Sequence, residues 1–111
     1  MSSDQDRLTV IYEAYQAAKM NKVPDLKAAT TNAEVDAILA NLDKLHASYM
    51  EAIDANLKAT GADIEAAYEA AKAANKAVTD ARKHAQHIPD LINKTAALAD
   101  KIGGLLKAVT A

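Results

Sequence analysis

Apolar residues recur at intervals of three and four along four stretches of the chain, and turn-forming residues separate these stretches. This spacing is typical of α-helices that turn one face towards a core. The predicted helices cover residues 3–20, 31–59, 62–87 and 89–110. Because the connections are short, the pattern predicts an all-α fold, an up-and-down antiparallel bundle of four helices in a single domain.

The ends of these helices carry recognisable signals. Ser2, Ser3 and Asp4 are candidate N-caps of the first helix, which should stop before Pro24. Residues 24–31 then form a connection, and Thr31 with Glu34 has the spacing of a capping box at the start of the second helix. Residue 61 is a glycine, which predicts the C-terminal end of that second helix. Pro89 suits the first turn of the fourth helix.

The apolar stripes of the predicted helices are unequal in width. The second helix has a heptad seam of the coiled-coil type from Val35 to Leu57, and the third relies largely on alanine. The fourth has a stripe wide enough to contact two neighbours, which predicts surplus apolar surface that self-association or a partner helix would cover. The candidate interaction residues on it are Leu98, Ile102, Leu105, Leu106 and Val109.

Two smaller features leave alternatives open. Tyr15 is a candidate interface anchor, because tyrosine is enriched at binding hot spots, whereas Tyr12, Tyr49 and Tyr68 fit the buried stripes. Gly103 and Gly104 lie inside the fourth helix, where they either allow close approach of another backbone or mark a kink.

Composition supports the helical prediction and narrows the choice of function. Alanine, the best helix former, accounts for 27 of the 111 residues, and the net charge is only −2. No dense basic patch is present, so nucleic-acid binding is not expected. No apolar run is long enough for a membrane span, and the polar residues at 2–6 do not resemble a secretory signal. These features predict a cytoplasmic protein.

Catalysis is not expected from this sequence. It has no cysteine nucleophile, no Gly-x-Ser-x-Gly elbow and no glycine-rich phosphate loop. Its carboxylates are distributed as on an ordinary solvated helix face. The sequence therefore indicates a protein that is not an enzyme and that requires no cofactor.

The histidines supply an alternative hypothesis of metal or haem binding. Asp80, His84 and His87 are spaced by four and three residues, so all three would project from one side of the third predicted helix. One helix alone supplies too few ligands for a supported metal site, so these remain weak candidates.

A haem site is the second form of this alternative. His46 lies one helical turn before Met50, but two residues of one helix cannot occupy opposite faces of a haem. Met20 is the remaining candidate for the second axial ligand. The preferred hypothesis is instead a non-catalytic bundle that acts through protein–protein interaction, as an adaptor, assembly or regulatory module, with self-association or a protein partner.

Overall fold

Five helices account for nearly all of the chain in the computed structural model, which describes residues 1–83 and 88–111. They are α1 (Asp4–Met20), α2 (Lys22–Ala28), α3 (Asn32–Asp54), α4 (Ala62–Lys83) and α5 (Ile88–Thr110). No strand occurs in these two ranges, so the predicted all-α class is confirmed. The described residues form five helices rather than the predicted four. No helix in the described residues has the length and apolarity needed to cross a membrane.

The first helix begins where its capping residues predict. Ser3 is the N-cap: its hydroxyl accepts a hydrogen bond from the Asp6 N–H at 3.0 Å, and the Asp6 carboxylate accepts one from the Ser3 N–H at 2.9 Å. Both bonds satisfy amides that the helix leaves unpaired, which fixes the start of α1. At α3, the Thr31 hydroxyl accepts from the Glu34 N–H as expected, although the Glu34 carboxylate accepts from Thr30.

The additional helix, α2, lies where a loop was expected. Pro24 falls in its first turn, where a missing N–H breaks no intrahelical hydrogen bond, so the proline is compatible with this short helix. None of its residues is buried. Asp25 accepts two hydrogen bonds from Arg82 of α4, at 2.8 and 2.9 Å, and this ion pair ties α2 to the bundle.

The predicted end of the second helix at residue 59 is wrong, because α3 ends at Asp54 and an extended segment follows it. Ala55 has extended backbone angles (φ −86°, ψ 153°), and Leu57 turns inwards to 5% exposure. The Arg7 guanidinium donates hydrogen bonds to the carbonyl oxygens of Leu57 and Ala59. Gly61 therefore precedes α4 instead of capping α3. A tertiary contact overrides the local helix preference over residues 55–59.

The long helices are arranged in the order α1, α3, α5 and α4 around one core. The most extensive pairing is between α4 and α5, and α1 pairs with α3, which in turn packs against α5. Contact between α1 and α4 is sparse, so the ring closes loosely on that side. The buried Asn41 side chain links α3 to α5 by donating to the Ile92 carbonyl oxygen at 3.1 Å. The molecule measures 43 × 23 × 18 Å.

A buried alanine of α4 allows α4 and α5 to pack closely. Ala71 is fully buried between Ile64 and Val78, larger core residues of α4 that each lie two helical turns from it. Such a small side chain lets the neighbouring helix approach. On α5, Gly103 and Gly104 lie within a continuous helix, and a Cβ atom built on either would meet nothing within 4 Å. The glycine pair therefore makes no close backbone contact with the described residues.

Candidate interaction site

The stripe on α5 is not the free surface that its sequence predicts. Its five candidate residues are at most 3% exposed, because α3 and α4 cover them from two sides. The α5 stripe is wide enough to contact two neighbouring helices, and both of these helices belong to the same chain. The expectation of surplus apolar surface on this helix is therefore corrected, and the residues form the core. They are Leu98, Ile102, Leu105, Leu106 and Val109.

Exposed apolar side chains occur instead on the outer side of the α1–α3 pair. Tyr12 of α1 is 41% exposed, and Met50 and Ile53 of α3 are 51% and 49% exposed. Three further rings lie among them. We call this surface the aromatic face; its members are Tyr12, Tyr15, His46, Tyr49, Met50 and Ile53.

The rings of the aromatic face form a connected stack. The Tyr15 and Tyr49 rings are nearly parallel, with centroids 5.3 Å apart and an interplanar angle of 15°. Tyr12 packs against Tyr49 at 5.2 Å, and His46 packs against Tyr15 at 5.1 Å. Lys19 places its ammonium 5.9 Å from the centre of the Tyr15 ring. Aromatic pairs at these distances contribute about 0.5–1.5 kcal/mol each beyond their buried area, so the stack is a rigid base for the exposed side chains.

Helical spacing explains how two helices build one face. On α1, Ile11 and Ala14 point into the core, and Tyr12 and Tyr15 follow each by one position, on the side next to α3. On α3, the core position falls on Ala52, so the larger Ile53 lies outside. Because α1 and α3 are antiparallel, the apolar flanks meet along one groove.

Carboxylates border this face along α3. Asp36, Asp43 and Asp54 are exposed, and their spacing of seven and eleven residues places them on one line along the helix. We call these three residues the acidic rim. Met50 lies seven residues after Asp43 and four before Asp54, so the rim runs beside the aromatic face. The border on α1 is formed by the uncharged Gln5 and Gln16, with Lys19 at its end.

A buried arginine fixes the ends of the two helices that carry this face. Arg7 is 1% exposed, and its guanidinium donates to the carbonyl oxygens of Leu57 at 2.7 Å and Ala59 at 2.5 Å. It also donates to Glu65 Oε2 at 2.8 Å and to the Ser2 hydroxyl at 3.0 Å. These bonds join the start of α1 to the segment after α3 and to the first turn of α4.

Glu65 completes this cluster. Its carboxylate accepts hydrogen bonds from the Ser2 N–H at 2.7 Å and from the Ser2 hydroxyl at 2.8 Å, in addition to the bond from Arg7. These donors favour the ionised form and lower the pKa of Glu65 from its ordinary value of 4.5 to about 2. The carboxylate is therefore ionised at neutral pH, and it acts as an anchor for Ser2 and Arg7.

A second, polar groove lies between α1 and α4, where the two helices are in sparse contact. Its volume is about 430 Å³, and lysines of α4 face carboxylates of α1 across it, among them Lys72, Lys83, Asp6 and Glu13. Charges of both signs are interspersed along its walls. This arrangement is typical of a solvated groove and does not select one class of ligand.

The metal candidates fall partly outside the described residues, and the haem candidates are exposed side chains. His84 and His87 lie outside the described residues, while Asp80 is half exposed and lies 3.7 Å from the Lys76 ammonium. No cluster of three or more potential metal-ligating side chains occurs among residues 1–83 and 88–111. His46 is exposed and packs against Tyr15, and Met20 is 71% exposed at the far end of α1.

No protein-family model, curated protein or solved structure matches the chain.

The role of Tyr15 as an interaction residue stays a prediction from the sequence, while the predicted burial of Tyr12 is wrong. Tyr15 lies in the stack, but Tyr12, expected in a buried stripe, is 41% exposed. The available signal was the width of the apolar stripe on α1, where Ile11 and Tyr12 are adjacent and cannot both point into the core. Arg7 and Arg82 gave no sequence signal of burial, because long charged residues are mostly found on surfaces.

Proposed function

We propose that this protein is a non-catalytic helical bundle that acts by binding another protein through the aromatic face, as an adaptor, assembly or regulatory module. The observation that carries the proposal is the exposure of Tyr12, Met50 and Ile53 around a fixed stack of rings. Clustered apolar side chains on a folded surface cost free energy in water, and association removes this cost.

The residue types of the face also support binding to a protein. Tyrosine and methionine are enriched in the centres of protein interfaces, and tyrosine loses little conformational entropy when it becomes ordered. Tyr15 and Tyr49 are already held by their mutual stacking. A partner would therefore meet a largely preformed surface, which reduces the entropic cost of binding.

Capture of partners from an extract of the source cell tests this proposal. We expect the tagged protein to retain a specific partner, identified by mass spectrometry, and the double variant Met50→Ser/Ile53→Ser to lose it. Met20→Ser/Val23→Ser is the matched control, because these two side chains are at least as exposed (71% and 59%) but lie at the end of α1 and on α2. Equal capture by both variants would contradict the proposal.

A folding control accompanies both variants. The four substituted side chains are about half exposed or more, so thermal unfolding followed by circular dichroism should show similar midpoints for both double variants. Visible absorption and metal analysis of the purified protein test the alternative function. A stoichiometric haem or metal ion that survives purification would favour a ligand-carrying bundle.

A further inference from the structure

Negative charge predominates along the α3 edge of the aromatic face. The acidic rim on α3 brings three exposed carboxylates, Asp36, Asp43 and Asp54, and no ion pair to any of them occurs within the described ranges. Across the groove, α1 contributes Gln5, Gln16 and Lys19, and Lys19 already sits over the Tyr15 ring. Asp4 and Lys58 lie close to Ile53 at one end of the face. The face is thus apolar in the middle and negative along its α3 edge.

The shape of the face favours a helix as its occupant. It is a groove between two antiparallel helices, and the ridge of a third helix packs into such a groove at the usual interaxial distances of about 8–10 Å. The first and last carboxylates of the rim are eighteen residues apart, which is five helical turns or about 27 Å. A partner helix of similar length can therefore lie along the whole rim.

We propose that the aromatic face binds a cationic amphipathic helix of a partner protein, an inference that rests on the proposed function. Apolar residues of that helix, spaced by three and four, pack over Tyr12, Met50 and Ile53. Its lysines or arginines, spaced by seven and eleven, lie opposite the acidic rim. The apolar contacts supply affinity, while the charges select the partner and its orientation.

The same charges disfavour two other occupants. A second copy of this chain would bring another net negative face to the contact, so the two copies repel each other at low ionic strength. An anionic membrane surface is repelled in the same way, since membrane-surface helices carry lysine and arginine on their polar side. A helix with a cationic flank satisfies both the apolar centre and the acidic edge.

A pair of designed peptides tests the inference with the full-length protein. The first is a labelled amphipathic helix of about 20 residues, with leucines on one face and lysines at spacings of seven and eleven on its flank. The second carries glutamate at the lysine positions. We expect fluorescence anisotropy at low ionic strength to show binding of the lysine peptide at least about tenfold tighter than the glutamate peptide, with the difference shrinking as salt screens the charges.

Two protein variants separate the rim from the apolar centre. Asp36→Asn/Asp43→Asn/Asp54→Asn should weaken lysine-peptide binding about tenfold and remove most of its salt dependence. Met50→Ser/Ile53→Ser should abolish binding of either peptide. The matched control for charge neutralises three exposed carboxylates away from the face and should leave the affinity within about twofold; it is Glu13→Gln/Glu69→Gln/Asp100→Asn.

The outcomes distinguish this inference from the function on which it rests. Equal affinity for the two peptides, or an unaffected rim variant, overturns the cationic partner and leaves protein binding through the face in place. Lack of binding to either peptide also overturns it, and the capture experiment then decides the proposed function separately. Binding to anionic vesicles that is lost in Met50→Ser/Ile53→Ser assigns the face to membranes and overturns both.

Discussion

Arg7 joins three parts of the chain through one guanidinium. Its alanine variant would leave the carbonyl oxygens of Leu57 and Ala59 without their donor and would remove the cation beside Glu65. Loss of one partner from a buried hydrogen-bonded network is strongly destabilising, so we expect Arg7→Ala to lower the free energy of unfolding by about 3 kcal/mol. Urea unfolding followed by circular dichroism measures this change.

A lysine at the same position is the control for charge. Lysine lacks the planar guanidinium with its several N–H donors. Arg7→Lys should therefore keep a cation near Glu65 but lose part of the hydrogen bonding to the two carbonyl oxygens. We expect its stability to fall between wild type and Arg7→Ala. An alanine variant as stable as wild type would show that the segment after α3 is held by Leu57 burial alone.

The lowered pKa of Glu65 predicts a specific dependence of stability on pH. Because its pKa falls from 4.5 in the unfolded chain to about 2 in the folded protein, the carboxylate stabilises the fold above about pH 4.5 and loses this contribution as the pH falls towards 2. Glu65→Gln should therefore be less stable than wild type at pH 7, and the two should converge near pH 2. Urea midpoints across this range measure the difference.

Glu69→Gln is the matched control for this experiment. Glu69 lies one turn further along α4 and is exposed. Its variant should follow the wild-type acid profile closely. A constant difference between Glu65→Gln and wild type at every pH would show that Glu65 acts through packing rather than through its ionisation.

At the scale of the element, two glycines reduce the stability of α5. Gly103 and Gly104 lie inside a 23-residue helix, and nothing in the described structure occupies the space of their missing side chains. Alanine restricts the unfolded chain and favours the helix, so Gly104→Ala should raise the free energy of unfolding by about 0.5–1 kcal/mol. Gly103→Ala should act in the same direction. Thermal or urea unfolding of the two variants checks this, and a loss of stability would indicate a backbone requirement.

The pairing of α4 with α5 depends on a small residue. Ala71 is fully buried, so Ala71→Leu forces extra volume into a close contact and should cost about 1–3 kcal/mol of stability. Ala73, two positions on, is exposed and is the control, because Ala73→Leu adds the same volume in solvent. Equal urea midpoints for these two variants would contradict the packing argument.

At the scale of the whole molecule, closure of the α5 stripe removes the original reason to expect self-association. The remaining aromatic face carries a net negative edge, so we expect analytical ultracentrifugation to find a monomer of 11.7 kDa at micromolar concentration and low ionic strength. Any association should strengthen with salt, which screens the acidic rim. A stable dimer at low salt would contradict this expectation and the argument against a second copy.

Much of the fold follows from local sequence signals, and the departures have identifiable causes. The capping pairs Ser3–Asp6 and Thr31–Glu34 mark helix starts because they act within one turn of backbone. The end of α3 could not be predicted in this way. It depends on Arg7, fifty residues distant from Leu57, and on a core position that accepts the Leu57 side chain.

The candidate site was harder to predict than the fold. A stripe of apolar residues indicates that a helix face is buried. It does not show whether helices of the same chain or another protein cover that face. The α5 stripe is covered by two helices of its own chain, α3 and α4. The apolar side chains of α1 are covered only in part by α3, and Tyr12 remains exposed. The relative placement of helices decides which apolar residues remain exposed.

The sequence by itself determined the helical class, most helix starts and the absence of thiol chemistry, since these depend on residue type and on spacing within a few turns. Only the tertiary structure decided that residues 22–28 form a helix, that α3 stops at Asp54, and that Tyr12, Met50 and Ile53 remain exposed beside the contact of α1 with α3. The physical reason is that burial and ion pairing join residues distant in sequence, and their free energy exceeds the small local preferences that a sequence pattern records.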